Sequence, residues 1–155
     1  MKVLVLTISD RASEGIYSDR SGPAVESVLV NSISGAEVDR QIVPDEKVEI
    51  RKALSANLDK DVIITTGGTG IGPRDVTPDV TSAFCDRLIP GIAEYLRIKS
   101  LEETLNAVLS RGVAGIKDNT IIINLPGSVK GASFCAELIP DILKHSLAML
   151  RGGGH

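Results

Sequence analysis

Glycine and threonine are concentrated in one short stretch of the chain, Thr65-Thr66-Gly67-Gly68-Thr69-Gly70-Ile71-Gly72. Because glycine has no Cβ atom, successive backbone N–H groups in such a stretch can turn toward an anion without steric hindrance. The threonine hydroxyls add further hydrogen-bond donors. The stretch therefore predicts a cradle for a phosphate or a pterin, and a connector chosen only for its turn geometry is the weaker interpretation.

This glycine stretch differs from the two common nucleotide-binding motifs. A Walker P-loop requires Gly-Lys-Ser or Gly-Lys-Thr after the glycines, and the chain has neither there. The dinucleotide motif Gly-x-Gly-x-x-Gly is interrupted, because Pro73 stands where the third glycine would be. Any nucleotide bound here must be held by a different arrangement.

Two carboxylates follow the glycine stretch, in Pro73-Arg74-Asp75-Val76-Thr77-Pro78-Asp79. Carboxylates beside an anion cradle would repel a phosphate unless a metal ion lay between them. Mg²⁺ held by one or two carboxylates together with substrate phosphates is the usual arrangement. Asp75 is therefore the first predicted metal ligand. Helix capping accounts for Thr77 as an N-cap, and Asp79 would favour the positive end of the same helix.

Polar segments also follow three other predicted strands: Ser9-Asp10-Arg11, Pro44-Asp45-Glu46 and Asn124-Leu125-Pro126-Gly127-Ser128. Ligands of open α/β sheets bind outside the carboxyl ends of the strands, so these segments should meet the glycine stretch at one edge. Asp45 could equally be the N-cap of the next helix, and its place at a strand end favours a functional role. A simple ion pair between Asp10 and Arg11 is an alternative for those two residues.

The elements that must position these segments alternate between strand and helix. Apolar or alternating runs predict strands over Val3–Ser9, Ala36–Val43, Asp61–Thr66, Val113–Lys117 and Thr120–Asn124. Two helices are predicted early in the chain, one from an N-cap at Ser21 to Gly35 and one opened by Asp45 with Leu58 as the last residue of its apolar face. Further helices are predicted over Thr77–Leu88, over Pro90–Leu101, and over Val129–Leu150 with a break near Ile139 before Pro140. Leu105–Arg111 fits either a short helix or a loop. The order predicts an α/β fold of three layers (α/β/α), with a mainly parallel sheet and helices on both faces.

The bulk composition restricts the class of protein. Its 155 residues, 43% of them hydrophobic, fit one domain over residues 1–150, followed by a flexible tail at 151–155. A net charge of −3 and 3% aromatic residues argue against nucleic-acid binding. The longest apolar runs are shorter than a membrane span, and the N-terminal run lacks a signal-peptide pattern, so we expect a cytoplasmic protein. Cys85 and Cys135 are expected to be reduced thiols, and the two histidines are too far apart in sequence for zinc.

Taken together, these segments resemble a known family. Thr65–Gly70 followed by Pro73–Asp79 is similar to the signature of the molybdenum cofactor biosynthesis proteins MogA and MoaB, to which the G domain of animal gephyrin and its plant counterpart belong. The resemblance continues in the family's order at Ser9-Asp10-Arg11, Pro44-Asp45-Glu46, Leu109-Ser110-Arg111 and Asn124–Ser128, and it covers nearly the whole chain.

The resemblance implies a molybdopterin adenylyltransferase, which transfers AMP from ATP to the terminal phosphate of molybdopterin and releases pyrophosphate. The family's two essential acidic positions match Asp45 and Asp75. Asp75 would bind Mg²⁺, and Asp45 would either share that metal ion or orient the attacking phosphate. The implied ligand-binding positions are Ser9, Asp10, Thr66, Gly67, Gly68, Thr69, Gly70, Ser110, Pro126, Gly127 and Ser128. The resemblance also implies a homotrimer and contact with the molybdenum-insertion enzyme.

Two alternatives stay open at this point. One is a catalytically silent molybdopterin-binding protein of the same family, which would be expected to have lost the acidic pair Asp45 and Asp75. The other is an enzyme that acts on nucleotide pyrophosphates and resembles the amino-terminal domain of CinA. Such proteins resemble this chain less over Pro73–Asp79.

Overall fold

A computed structural model describes residues 1–153 of the chain. Its strands are β1 (Lys2–Ile8), β2 (Glu37–Val43), β3 (Val62–Thr66), β4 (Arg87–Leu88), β5 (Ala114–Lys117) and β6 (Thr120–Leu125). Its helices are α1 (Asp10–Ser13), α2 (Ser21–Ser32), α3 (Lys47–Ala56), α4 (Thr77–Phe84), α5 (Pro90–Ser100), α6 (Val129–Leu138) and α7 (Pro140–Leu150), with a 3₁₀ helix over Leu105–Leu109. Within residues 1–153, no helix is long and apolar enough to cross a membrane.

The six strands form one sheet in the order β2-β1-β3-β6-β5-β4. The first four strands are mutually parallel, and β5 and β4 are added antiparallel at one edge. The predicted α/β fold with a mainly parallel sheet is therefore confirmed. The parallel pairing matters for function, because it brings the carboxyl ends of four strands to a single edge.

Alternating side chains of the strands divide the core into two parts, as the twofold period of a strand requires. From β1, Val3 and Val5 pack with the buried faces of α2, α5, α6 and α7. Leu4 and Leu6 point to the opposite face and pack with α3 and α4. Both faces of the sheet are thus covered by helices, which confirms the three-layer prediction.

Several predicted element boundaries are corrected by hydrogen bonds between segments distant in sequence. The helix predicted over Thr77–Leu88 ends at Phe84, because Asp86 N and Ile89 N donate to backbone oxygens at the edge of β5, at 2.8 Å each. Arg87 and Leu88, which lie between these two residues, form the short strand β4, and no strand is predicted there from the sequence. In contrast, the break before Pro140 is confirmed, since α6 ends at Leu138 and α7 begins at Pro140.

Two predicted helix starts are also wrong. Ser21 lies inside α2, whose start is capped by the carboxylate of Asp19, which accepts from Gly22 N at 3.1 Å. The second helix, α3, begins at Lys47, and the Asp45 carboxylate is turned away to accept from Asp10 N.

Two other predicted segments can be compared with the structure. The Leu105–Arg111 segment, which the sequence assigned to either a short helix or a loop, contains the 3₁₀ helix. The predicted tail is described only through Gly153; Arg151 Nη2 donates to Asp61 Oδ1 at 2.7 Å, and positions 154 and 155 lie outside the described residues.

A buried hydrogen-bond network centred on Asn124 joins the end of β6 to its neighbours. Its amide nitrogen donates to Thr65 Oγ1 at 3.0 Å and to Thr81 Oγ1 at 2.9 Å. Its amide oxygen accepts from Val113 N at 3.2 Å. Since unpaired buried polar groups are costly, this network holds β3, α4 and the start of β5 in register directly below the edge where the loops meet.

We predict that Asn124→Ala lowers the free energy of unfolding by about 3 kcal/mol, because it leaves buried donors and acceptors without partners. Denaturant unfolding followed by circular dichroism measures the change. Asn31→Ala, the same change at an exposed site on α2, is the control and should stay within about 0.5 kcal/mol of the wild type. Equal stability of the two variants would show that the network contributes nothing.

Candidate active site

Four loops meet at the carboxyl edge of the parallel strands, as predicted. Ser9 N, after β1, donates to Val43 O at the end of β2, at 2.9 Å. Gly67 N, after β3, donates to Leu125 O at the end of β6, at 3.2 Å. These backbone bonds bring the predicted site segments together on one side of the sheet.

The glycine loop after β3 is packed so closely that side chains are excluded. Gly67 has a φ of 107°, and a Cβ atom on it would lie 2.3 Å from the carbonyl oxygen of Ile8. Gly68 has a φ of 62°, and a Cβ atom there would lie 2.4 Å from Thr77 Oγ1 and 3.0 Å from Asp45 Oδ1. Backbone packing explains Gly67, whereas Gly68 also borders a carboxylate of the predicted site.

Asp10 and Asp45 hold each other through their backbones. Asp10 N donates to Asp45 Oδ2, and Asp45 N donates to Asp10 Oδ1, both at 2.9 Å. This reciprocal pair ties the loop after β1 to the loop after β2. It also fixes one oxygen of each carboxylate, and the second oxygen of Asp45, Oδ1, faces the glycine loop at Gly68.

Arg74 supplies positive charge to this acidic edge. Its guanidinium binds Asp10, with Nη2 to Oδ2 at 3.0 Å, and Nη1 reaches Glu46 Oε1 at 2.8 Å. The ion pair between Asp10 and Arg11, which the sequence left open as an alternative, does not occur; Arg11 instead lies over the ring of Tyr17. Because Arg74 is 56% exposed, these ion pairs contribute more to local charge balance than to stability.

The surroundings of Asp45 raise its pKa above that of an ordinary aspartate, so its protonated form is favoured. Partial burial raises the pKa of Asp45, and the nearby charges of Asp10 and Asp75 raise it further, against the opposing effects of the Asp10 N–H bond and of Arg74. The charged form of Asp45 is therefore less stable than that of a solvent-exposed aspartate, a perturbation that is common at functional sites.

Asp75 is folded back against the glycine loop. Its Oδ2 accepts from Gly72 N at 2.8 Å, and Cβ atoms on Gly70 and Gly72 would lie within 3 Å of it. The segment that carries Asp75 is held from the other side by Arg111. Arg111 Nη1 donates to Asp75 O at 3.2 Å, its Nη2 pairs with Asp79, and its backbone N donates to Thr69 O at 2.8 Å.

Two carboxylate oxygens are free to bind a cation here. Neither Asp45 Oδ1 nor Asp75 Oδ1 accepts a hydrogen bond from any of residues 1–153. In the same part of the chain, no three His, Cys, Asp or Glu side chains are grouped as a metal site. Two carboxylates beside the glycine loop suit Mg²⁺, which commonly takes its remaining ligands from substrate phosphates and water.

An apolar pocket of about 300 Å³ lies beside the glycine loop. Its wall includes Thr69, Gly70, Ser110, Pro126, Ser128 and Phe134. At the rim, Lys130 Nζ pairs with Glu103 Oε2 at 2.7 Å. Since Thr69 and Gly70 line the pocket and also continue from Gly68, the pocket and the acidic edge share one loop.

The hydroxyls predicted to bind ligands also have structural roles. Ser9 Oγ accepts from Ala12 N at 3.2 Å and caps α1, and Ser128 Oγ accepts from Gly131 N at 3.2 Å and caps α6. Ser110 Oγ accepts from Gly112 N at 3.3 Å.

Two further predicted contact residues lie at the junction of the loops. Thr66 is fully buried, and its hydroxyl donates to Pro126 O at 2.7 Å. Thr66 therefore joins the glycine loop to the last loop, and a Cβ atom on the adjacent Gly127 would lie 3.1 Å from Gly67 Cα. Their assignment as ligand-binding residues stays a prediction.

Residues outside the predicted set contribute much of the positive charge. Arg74 and Arg111 lie in segments that carry the family resemblance, and Lys130 lies two residues beyond Ser128. Their positions beside predicted residues were the available signal. Their partners could not be inferred from the spacing of residues in the sequence. Arg74, for example, pairs with Asp10, which is 64 positions away.

Comparisons with known proteins agree with this geometry. A family model described as a probable molybdopterin binding domain matches residues 4–145. The molybdopterin adenylyltransferase of Helicobacter pylori is 40% identical over 152 residues, covering 96% of this chain and 86% of that protein. The molybdenum cofactor synthesis protein cinnamon of Drosophila melanogaster is 40% identical over 149 residues, 94% of this chain, although the chain spans only 25% of that longer protein.

Solved structures give the same result. The crystal structure of the molybdopterin biosynthesis enzyme MoaB from Thermus thermophilus is similar with a TM-score of 0.87 and 41% identity, covering 97% of this chain and 96% of that one. A CinA protein from Thermoplasma acidophilum has a TM-score of 0.70 at 18% identity and so shares the fold alone. From the matched domain, the relatives and the shared structure, this chain belongs to the molybdopterin-binding family of molybdenum cofactor biosynthesis proteins.

Proposed function

We propose that this protein is a molybdopterin adenylyltransferase, which transfers AMP from ATP to the terminal phosphate of molybdopterin and releases pyrophosphate. The observation that carries the proposal is the pair Asp45 and Asp75, each with a free carboxylate oxygen beside the same glycine loop. The relatives named molybdopterin adenylyltransferase at about 40% identity support it.

In this reaction an oxygen of the molybdopterin phosphate attacks the α-phosphorus of ATP. The bond from that phosphorus to the bridging oxygen breaks, and the bond's electrons leave with pyrophosphate. A phosphate monoester is largely ionised near neutral pH because its second pKa is about 6, so no general base is needed. The chain therefore has to position two anions and offset their charge.

The two parts of the site suit these two tasks. We assign the apolar pocket beside Thr69 and Gly70 to molybdopterin, with Lys130 at its rim as a cation for the phosphate. We assign the N–H groups of Gly68–Gly70 to the phosphates of ATP. Asp45 and Asp75 would hold Mg²⁺, which when bound neutralises the phosphate oxygens.

The alternative is a silent molybdopterin-binding protein, and one assay separates the two. Purified protein is mixed with ATP, Mg²⁺ and molybdopterin, and both pyrophosphate and adenylylated molybdopterin are measured. We expect both products in equal amounts. Tight molybdopterin binding without either product would replace the transferase proposal with the binding one.

We further propose that the protein works in the cytoplasm as a homotrimer and passes its product to the molybdenum-insertion enzyme. Light scattering tests the assembly. The expected mass is three times the 16.4 kDa of one chain, and a stable single-chain mass at micromolar concentration would reject the trimer.

For the acidic pair, we predict that Asp75→Asn retains the fold and molybdopterin affinity and lowers turnover about 100-fold or more. The asparagine oxygen can still accept from Gly72 N, so the loop keeps its shape while the charge is lost. Asp141→Asn, at a side chain that is 96% exposed on α7, is the matched control and should leave turnover unchanged. Wild-type turnover in Asp75→Asn would show that the metal role is misassigned.

For the glycine loop, we predict that Gly68→Ala abolishes measurable Mg·ATP binding, because the new methyl group would collide with Thr77 Oγ1 and crowd Asp45 Oδ1. Gly35→Ala is the control. Gly35 also has a positive φ, 69°, but no atom would lie within 4 Å of its Cβ. That variant should lose about 1–2 kcal/mol of stability from backbone strain and bind Mg·ATP normally. Calorimetric titration measures the Mg·ATP affinity of both variants. Equal affinities would mean that the loop does not hold the nucleotide.

A further inference from the structure

The first residue of α4, Thr77, has a hydroxyl without a hydrogen-bond partner. Its side chain is fully buried, and within residues 1–153 Thr77 Oγ1 is the one buried side-chain oxygen or nitrogen left unpaired. Leaving a buried hydroxyl unpaired destabilises the folded chain. An exception of this kind calls for a physical reason.

Helix capping, predicted from the sequence, is not that reason. The N-cap position of α4 is occupied by Val76, and no side chain makes a capping hydrogen bond there. One turn further along α4, Thr81 is equally buried, yet its hydroxyl accepts from Asn124. The unpaired state is therefore particular to Thr77 and not to buried threonines of this helix.

The Thr77 hydroxyl lies beside an equally unused acceptor. A Cβ atom on Gly68 would contact both Thr77 Oγ1 and Asp45 Oδ1, so the two oxygens flank the same glycine. Asp45 Oδ2 accepts from Asp10 N, whereas Oδ1 accepts from none of the described residues. Thr77 N in turn donates to Gly68 O at 3.2 Å, which couples the start of α4 to the glycine loop.

We propose that Thr77 is a positioning residue for Asp45: when nucleotide phosphates occupy the glycine loop, its hydroxyl donates to one lone pair of Asp45 Oδ1 and leaves the other lone pair for Mg²⁺. The inference rests on the proposed function. Because Gly68 has no side chain, nothing of that residue stands between the two oxygens, which would lie 2.4 and 3.0 Å from a Cβ atom built on it. The unpaired hydroxyl disfavours the free protein, so its pairing on occupancy adds to the affinity for the nucleotide.

The test separates stability from affinity with Mg·ATP as the probe and the full chain as the protein. Thr77→Val keeps the shape and removes the hydroxyl. We expect its melting temperature to be unchanged or raised, because no buried group loses a partner, and its Mg·ATP affinity by calorimetry to fall about tenfold. Thr77→Ser, which retains the hydroxyl, should restore the affinity.

Thr81→Val is the matched control, since it removes a hydroxyl that is already paired. Its melting temperature should fall, because Asn124 loses an acceptor, and its Mg·ATP affinity should stay at the wild-type value. A Thr77→Val variant that is destabilised, or that binds Mg·ATP like the wild type, overturns the positioning role and leaves the proposed function intact. Wild-type protein that binds no Mg·ATP overturns both.

Discussion

The close approach of backbone to backbone at Gly67 is the constraint on which the rest of the site depends. The loop after β3 passes so near the Ile8 carbonyl, at the end of β1, that only a hydrogen atom fits between them, and Gly127 of the last loop is packed against it from another direction. The parallel sheet brings these loops to one edge, and the missing side chains allow them to touch. Gly68 is thereby placed between the Asp45 carboxylate and the start of α4.

The charges at this edge are balanced incompletely, which is itself informative. Arg74 compensates Asp10 and Glu46, while the backbone of Asp10 satisfies one oxygen of Asp45. Asp45 and Asp75 have no cationic side chain bonded to their carboxylates among the described residues. Burial is the first cause of the raised pKa of Asp45, and the nearby charges of Asp10 and Asp75 add to it. A bound cation would relieve this imbalance, and substrate phosphates would supply its remaining ligands.

The sequence predicted those parts of the fold that depend on local pattern and missed those that depend on distant partners. Strands such as Val62–Thr66 are buried throughout because both faces of the sheet are covered, and their apolar runs allowed their positions in the chain and the fold class to be predicted. The two-residue strand β4 did not follow, because it exists only through pairing with β5, almost thirty positions later in the chain. Asp45 was correctly placed at the carboxyl edge. Capping by Thr77 was wrongly predicted, because residue type cannot show where a helix's first turn lies.

The apolar pocket is formed by packing of side chains, whereas the acidic edge is formed by charged groups. The glycine loop borders both, so one loop joins a binding surface to a reactive one. The pocket wall, which includes Phe134 and Pro126, depends on packing that would survive the loss of any single carboxylate. At the edge, Asp45 and Asp75 each use one carboxylate oxygen to hold a backbone N–H of the loops, and neither second oxygen accepts a hydrogen bond from the described residues. These two unbonded oxygens beside the glycine loop are the strongest physical argument that the edge serves a reaction.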